Sequence, residues 1–470
     1  MKSRGTRMRA VDRSWLRMES AENPMMISSV LVFEEPIDIA QLKQILNDRF
    51  LRFRQFTQRA IQHNDSAEWR DDPLFDLDNH FHVLSLPGNA TQTDLQNMVS
   101  DLNSTPLHSG RPLWQIHYID NYDGGCALVI RIHHCIADGI SLVRVLLSLT
   151  DRSPDAKAPK LQKAPAIKFT PRGLLGRYIN RAVKYGQASV YQLRLFGDAV
   201  IKQPSYPLKL TNTASKIAME CARLGFARSE PNTGLKKALT GRKKVAWAEP
   251  PLSLAEVKLC ARALGGTTND VLMAVATGAL RRHFNATKER IPQRGLRVAV
   301  PFNLRSLRQP LESLGNEFGL VLVTLPVEVE SPLARFRQVQ KHMNRLKESY
   351  QAQITYSLLD IFGRGPDVLE RRAIALISSK ASAVLTNVPG PKKPVYLAGV
   401  KLKQPMFWVP QTGDIGIGMS IFSYAGTVQF GLTVDRGINA DPVAIMSYFR
   451  ESFEELRDHA LQRSEDEPAE

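Results

Sequence analysis

Residues 126–132, CALVIRI, form an almost unbroken apolar run of strand length. A strand that is apolar on both faces needs a packed layer on each side, so the chain must build a layered α/β or α+β domain around it. The run leads directly into HHCIADG (133–139) and then ISLVRVLLSLT (140–150), which is apolar at helical spacing. A second strand, within GRPLWQIHYID (110–120), precedes it across NYDGG, a hairpin-type connection.

The rest of the chain repeats this mixture without a strict βαβα alternation. MISSVLVF (26–33) reads as a strand, IAQLKQILNDRFLRFRQF (39–56) has helical spacing, and 93–107 forms a helix that stops near Pro106. Beyond residue 245, LSLAEVKLCARALG, NDVLMAVATGALRRHF and PLARFRQVQKHMNRLKESY are helices. LRVAVPFNLR, GLVLVTLPVEV (319–329), ASAVLTNVPGP (381–391) and VQFGLTVDRG (428–437) supply strands. Between the two halves the composition turns rich in Pro and Lys (SPDAKAPKLQKAP), as a linker does, and a basic amphipathic helical region follows at 173–201. We therefore divide the chain into a first domain at 1–155, a basic helical linker at 156–240, a second domain at 241–460 and an acidic tail at 461–470. At 470 residues, two domains are also the natural division.

A 43% hydrophobic, 23% charged composition is that of a globular protein with ample core material, which excludes a disordered chain. No apolar run reaches membrane-spanning length, and the basic start MKSRGTRMRA has no apolar stretch behind it, so neither a membrane-spanning helix nor a secretory signal is expected. Cys126, Cys135, Cys221 and Cys260 are scattered, which fits a reduced cytoplasmic setting and no structural zinc. The net charge of +16 is concentrated: 157–209 holds eleven Lys or Arg against one acid, Asp198. Nucleic acid, anionic lipid headgroups, an anionic cofactor's phosphates and a merely solvated face all suit such a stretch. No nucleic-acid motif accompanies it, so no nucleic-acid partner is expected.

Three chemistries compete for RIHHCIADGIS (131–141). Neighbouring side chains on a strand point to opposite faces, so His133 and His134 do not share one metal ion, and no further ligands stand at zinc spacing. A Cys135 nucleophile needs a depressed pKa, whereas a cysteine just past an apolar strand is more simply packing. The economical reading has the strand deliver His134 to its end as a neutral proton acceptor. Asp138 then caps the following helix, and Gly139 permits a tight turn or a close approach to a ligand. Alone, His134 would be read in the first place as a hydrogen-bonded core histidine.

HHCIADG fits the HHxxxDG motif of the CoA-dependent acyltransferases. The chain as a whole resembles the bacterial wax ester synthase/acyl-CoA:diacylglycerol acyltransferase family. The resemblance runs nearly end to end. It includes Asp12, Glu19 and Pro24–Met25, then FDLDNHFHVLSLPG (75–88), Pro112-Leu113-Trp114, Asn269–Asp270, VPFNLR (300–305), NVPGP (387–391) and GIGMSIFSYAGTVQFGLTVD (416–435). Met26 stands where many relatives have histidine, a change placed at a substrate-channel wall. The resemblance implies two chloramphenicol acetyltransferase-like domains, a helical linker and an interdomain tunnel. It also implies an O-acyltransferase that moves an acyl group from acyl-CoA, a co-substrate, to a lipid alcohol, with no bound cofactor and no metal. His134 would be the general base and His133 its support; Asp138 would pair with an arginine, Arg305 being the candidate. Asn269 would donate to the developing oxyanion or, as plainly, cap its helix. Pro112, Leu113, Trp114 and Asp270 would support the site. Water-insoluble acceptors imply peripheral association with the inner face of the cell membrane or with lipid droplets, for which the basic 173–201 region is one candidate.

Overall fold

The computed structural model describes residues 5–64, 66–155, 220, 227–305, 314–347 and 349–466. The basic 173–201 region lies outside them.

The apolar run becomes the strand Gly125–His133, with all nine residues buried. It sits inside a six-stranded sheet ordered Tyr396–Leu397, Val400–Trp408, Met26–Phe33, Gly125–His133, Trp114–Tyr122, Phe81–Leu84. The hairpin turn before it places Asp123 and Gly124 at φ of 55° and 72°, the two-residue turn whose twist matches the flanking strands. A second sheet runs Phe318–Leu325, Leu296–Asn303, Ala383–Pro389, Ile417–Tyr424, Thr427–Asp435, Lys243–Trp247, with Leu252–Ser253 pairing beside Thr427–Asp435.

Each sheet packs on its own helices. The second sheet's inner face, including Met419, Ile421, Phe430 and Leu432, covers the buried helix Thr268–Ala286. There Gly278 lets helix Pro442–Asp466 come close, since a Cβ would lie 2.7 Å from Ser452 Oγ. That last helix continues into 461–466, and Leu235, ahead of residue 241, is fully buried in the second core.

The halves are stitched together in three places. Val400–Trp408, a strand from the second half, completes the first sheet by pairing with Met26–Phe33. Ser100 and Ser104, on and just after helix Gln92–Asn103, accept the backbone N–H groups of Val245 and Lys243. Helix Ala10–Met18 crosses to the second half, where Ser14 Oγ donates to Leu359 O at 3.1 Å and Arg17 pairs with Glu370 at 2.9 Å. No helix among the described residues is long and apolar enough to cross a membrane.

Candidate active site

The strand Gly125–His133 ends between two neighbours, and each takes one histidine backbone. His133 N donates to Leu113 O at 2.9 Å, and His134 N donates to Met25 O at 2.7 Å. Ile136 N then donates to His133 O at 3.0 Å, closing the turn. The two imidazoles diverge as strand geometry requires. His133 is fully buried; its Nδ1 accepts from Cys135 N at 3.1 Å, and its Nε2 lies 3.6 Å from Glu19 Oε2. Burial pushes the Glu19 carboxyl up, but the neighbouring His133 ring and the Met25 backbone outweigh it and hold the group below the usual carboxylate range.

His134 enters an aromatic setting. Its ring stacks on Trp15 with centroids 4.0 Å apart and planes 12° from parallel, and Phe318 lies 5.5 Å away. Burial drives the imidazole pKa down to about 4, against the opposing pull of the Asp138 carboxylate. The ring is therefore neutral at pH 7, and its Nδ1 is buried without a hydrogen-bond partner among the described residues. The backbone beneath is held from the second half: Asn316 Nδ2 donates to His134 O at 2.8 Å and to Asp12 Oδ1 at 2.9 Å, and Asn316 N donates to the same Asp12 oxygen at 2.8 Å.

Asp138 caps helix Gly139–Leu149, its Oδ1 accepting from Ser141 N at 2.7 Å. Its Oδ2 accepts from Glu317 N at 3.0 Å, tying the motif to the chain that enters strand Phe318–Leu325. Arg305 reaches this corner as well. It pairs with Glu317 Oε2 at 3.1 Å and donates to Gly315 O at 3.0 Å, while each Asp138 carboxylate oxygen accepts a backbone amide. Gly139 has open space where a Cβ would stand. It borders a narrow apolar crevice of about 20 Å³ walled by Ile27, Ile130, Ile132, Leu142, Leu146 and Phe407. Along the strand, Ile130, Ile132 and His134 are in the same alternation.

The remaining candidates lie elsewhere. Trp114 is wholly buried against Phe50, Phe56 and His80, with Nε1 donating to Phe56 O at 2.8 Å, so Pro112-Leu113-Trp114 holds the neighbouring strand in place. Cys135 is fully buried, and burial raises its thiol well above the usual range, so it is held as the neutral thiol. Met26 lies across from His133 and takes an N–H from Arg131 at 3.3 Å. Asn269 does not cap its helix. Thr267 does, in a capping box with Asp270, while Asn269 Oδ1 accepts from Asn387 Nδ2 at 2.8 Å. That orientation leaves Asn269 Nδ2 as a donor. No hydrogen bond among the described residues joins this amide pair to the histidine loop.

Sequence reasoning missed Trp15, Asn316 and Phe318. Trp15 had a signal: Asp12, Trp15 and Glu19 recur at i, i+3 and i+7, one face of a helix. Asn316 had none, since its role is set by a contact 182 residues away.

Comparison with known proteins identifies the family and the fold. Residues 8–272 match the wax ester synthase/diacylglycerol acyltransferase catalytic domain, and residues 314–457 match the C-terminal domain of the same family. A probable diacylglycerol O-acyltransferase of Mycobacterium tuberculosis is 28% identical, with 92% of this chain and 91% of that protein covered. The fold is that of the wax ester synthase/diacylglycerol acyltransferase from Marinobacter aquaeolei VT8, at TM-score 0.66 and 23% identity over 97% of this chain and all of that one. It is also that of the first condensation domain of the CDA synthetase, at TM-score 0.61 and 15% identity over 98% of each chain. The chain belongs to the wax ester synthase/diacylglycerol acyltransferase family and is an acyltransferase.

Proposed function

We propose that the protein transfers a long-chain acyl group from acyl-CoA to the hydroxyl of a lipid alcohol, diacylglycerol or a fatty alcohol, with His134 as general base. The observation that carries this reading is a buried imidazole, neutral at pH 7, clamped at a strand end between two sheet neighbours. His134 takes the acceptor's proton as its oxygen attacks the thioester carbonyl. The tetrahedral intermediate expels CoA thiolate, which recovers the proton from the imidazolium. A base held at so low a pKa gains little driving force from the first transfer. It does not need to hold the proton, because the more basic thiolate takes it next. Trp15, stacked on the ring, lowers the energy of the passing imidazolium by a cation–π contact, about 0.5–2 kcal/mol.

Asp138 and Gly139 form the mounting, and His133 with Glu19 fixes the turn from behind. Asn269 Nδ2 supplies the donor for the oxyanion, with Arg305 and Asp270 as scaffold. Acyl-CoA is a co-substrate and the reaction uses no resident cofactor. The enzyme works peripherally, at the inner face of the cell membrane or on lipid droplets.

The test is purified protein with palmitoyl-CoA and either hexadecanol or a diacylglycerol, following CoA release and ester formation, beside His134→Ala. Ester formed by the wild type and lost in the variant is the expected result. Full activity in the variant would remove His134 from its role, and a wild type inert toward every alcohol would leave a CoA- or lipid-binding protein.

A further inference from the structure

We infer that the outward face of helices Gln351–Phe362 and Asp367–Ser378 docks on an anionic lipid surface. Seven large apolar side chains stand exposed among the described residues, and three fall within sixteen residues of each other here: Ile361 (59% exposed), Val368 (60%) and Leu376 (53%). On helix Asp367–Ser378 the exposed positions are Val368, Arg371, Arg372, Ala375 and Leu376, a single stripe at helical spacing. Arg371 and Arg372 have no ion-pair partner among the described residues, whereas Arg364 in the adjoining turn pairs with Asp360 at 2.8 Å. Isolated apolar side chains around unpaired guanidinium groups match an interface of acyl chains below anionic headgroups. A protein partner of obligate kind would want a broader apolar patch.

The position of this face gives the contact a purpose. A cavity of about 220 Å³ opens at the same helix, lined by Arg17, Glu19, Asp367, Glu370, Arg371 and Ile374 among others. Glu19, in its lining, lies 3.6 Å from His133, which puts the cavity beside the back of the histidine loop. Helix Ala10–Met18 spans the same distance in covalent form: Arg17 is fixed to Asp367 and Glu370, and Trp15 stacks on His134. The inference rests on the proposed function only for why a lipid surface is useful; the binding itself is separately measurable.

The experiment is flotation of the full-length chain with phosphatidylglycerol-containing vesicles and with pure phosphatidylcholine vesicles, for wild type, V368D/L376D and R372E. Thermal melting and vesicle-free transfer to a short soluble alcohol serve as controls for folding. The wild type should float with the anionic vesicles alone. V368D/L376D should lower the bound fraction about tenfold or more and R372E about fivefold, with melting retained. Variants that float like the wild type would overturn the assignment, the basic 157–209 segment then carrying any contact. It would equally be overturned by a wild type that binds no vesicle, or by one whose patch is buried in a dimer that V368D/L376D dissociates. A protein that floats but transfers no acyl group would remove the proposed function alone; one that transfers but does not float would remove the docking alone.

Discussion

The two sheets end in similar ways and carry different chemistry. In the first, Gly125–His133 runs into a loop and a helix capped by Asp138. In the second, Asn387 on Ala383–Pro389 meets Asn269 at the start of a helix capped by Thr267 and Asp270. The first end holds a titratable ring that burial and aromatic neighbours keep neutral. The second holds two amides that do not titrate. The proposed acyl transfer asks for a proton acceptor and for support of a developing negative charge, and two separate strand ends would let each be set independently. Desolvation tunes the imidazole, yet does little to an amide's charge state.

The comparison breaks hardest at His134. His134→Ala should lower kcat/KM for acyl transfer about a thousandfold, read by CoA release, with melting temperature near the wild type's at pH 8. Asn269→Ala should cost about a hundredfold, mostly in kcat, since a donor to the oxyanion acts on the transition state more than on the bound substrate. Equal losses in kcat and in substrate affinity would make Asn269 a binding residue and dissolve the division of labour.

The pH profile separates the two ends further. With its pKa at about 4, His134 stays neutral well into acid, so the acid limb of kcat/KM should fall below pH 5, whereas an ordinary histidine gives one near 6.5. Trp15→Leu admits water, which raises the pKa by more than the lost cation–π contact lowers it, so the limb should move upward with about a tenfold loss at pH 7. Asn269→Ala should leave the limb where it is. The sign for stability is the same as that of a paired carboxylate, because folding lowers the pKa in both cases. Between pH 6.5 and about 4 the unfolded chain binds a proton that folded His134 refuses, so stability falls as pH falls through that window. His117, pushed down to about 3 by burial, acts in the same direction.

Local pattern carried the first end and distance hid most of the second. CALVIRI, the hairpin before it and the helix after it are written in side-chain period and turn residues, and they delivered His134 where the strand had to stop. The divergence of His133 from His134 and the inert placement of Cys135 follow from strand alternation and burial alone. Of the two readings of Asn269, the helix cap falls instead to Thr267 two residues earlier, because Thr, Asn and Asp all cap well and residues 267–270 are all of these types. Strand Val400–Trp408 gave no sign that it would cross into the first sheet, since an apolar strand carries no mark of its partner. The Asp138–Glu317 and Asn316–His134 bonds join segments separated by about 180 residues, and nothing in the separate stretches specifies them.

The smallest effect sharpens the second end. Asn387 Nδ2 donates to Asn269 Oδ1, which fixes the amide's rotation and keeps Nδ2 free to donate. Asn387→Ala removes one hydrogen bond of net worth about 0.5–1.5 kcal/mol, so kcat should fall only about threefold to tenfold. The Asn269→Ala/Asn387→Ala double variant should be no slower than Asn269→Ala, because an orienting residue has nothing left to orient. Additive losses would mean that Asn387 acts on the reaction by its own path, and the second strand end would then hold two donors where the geometry gives one.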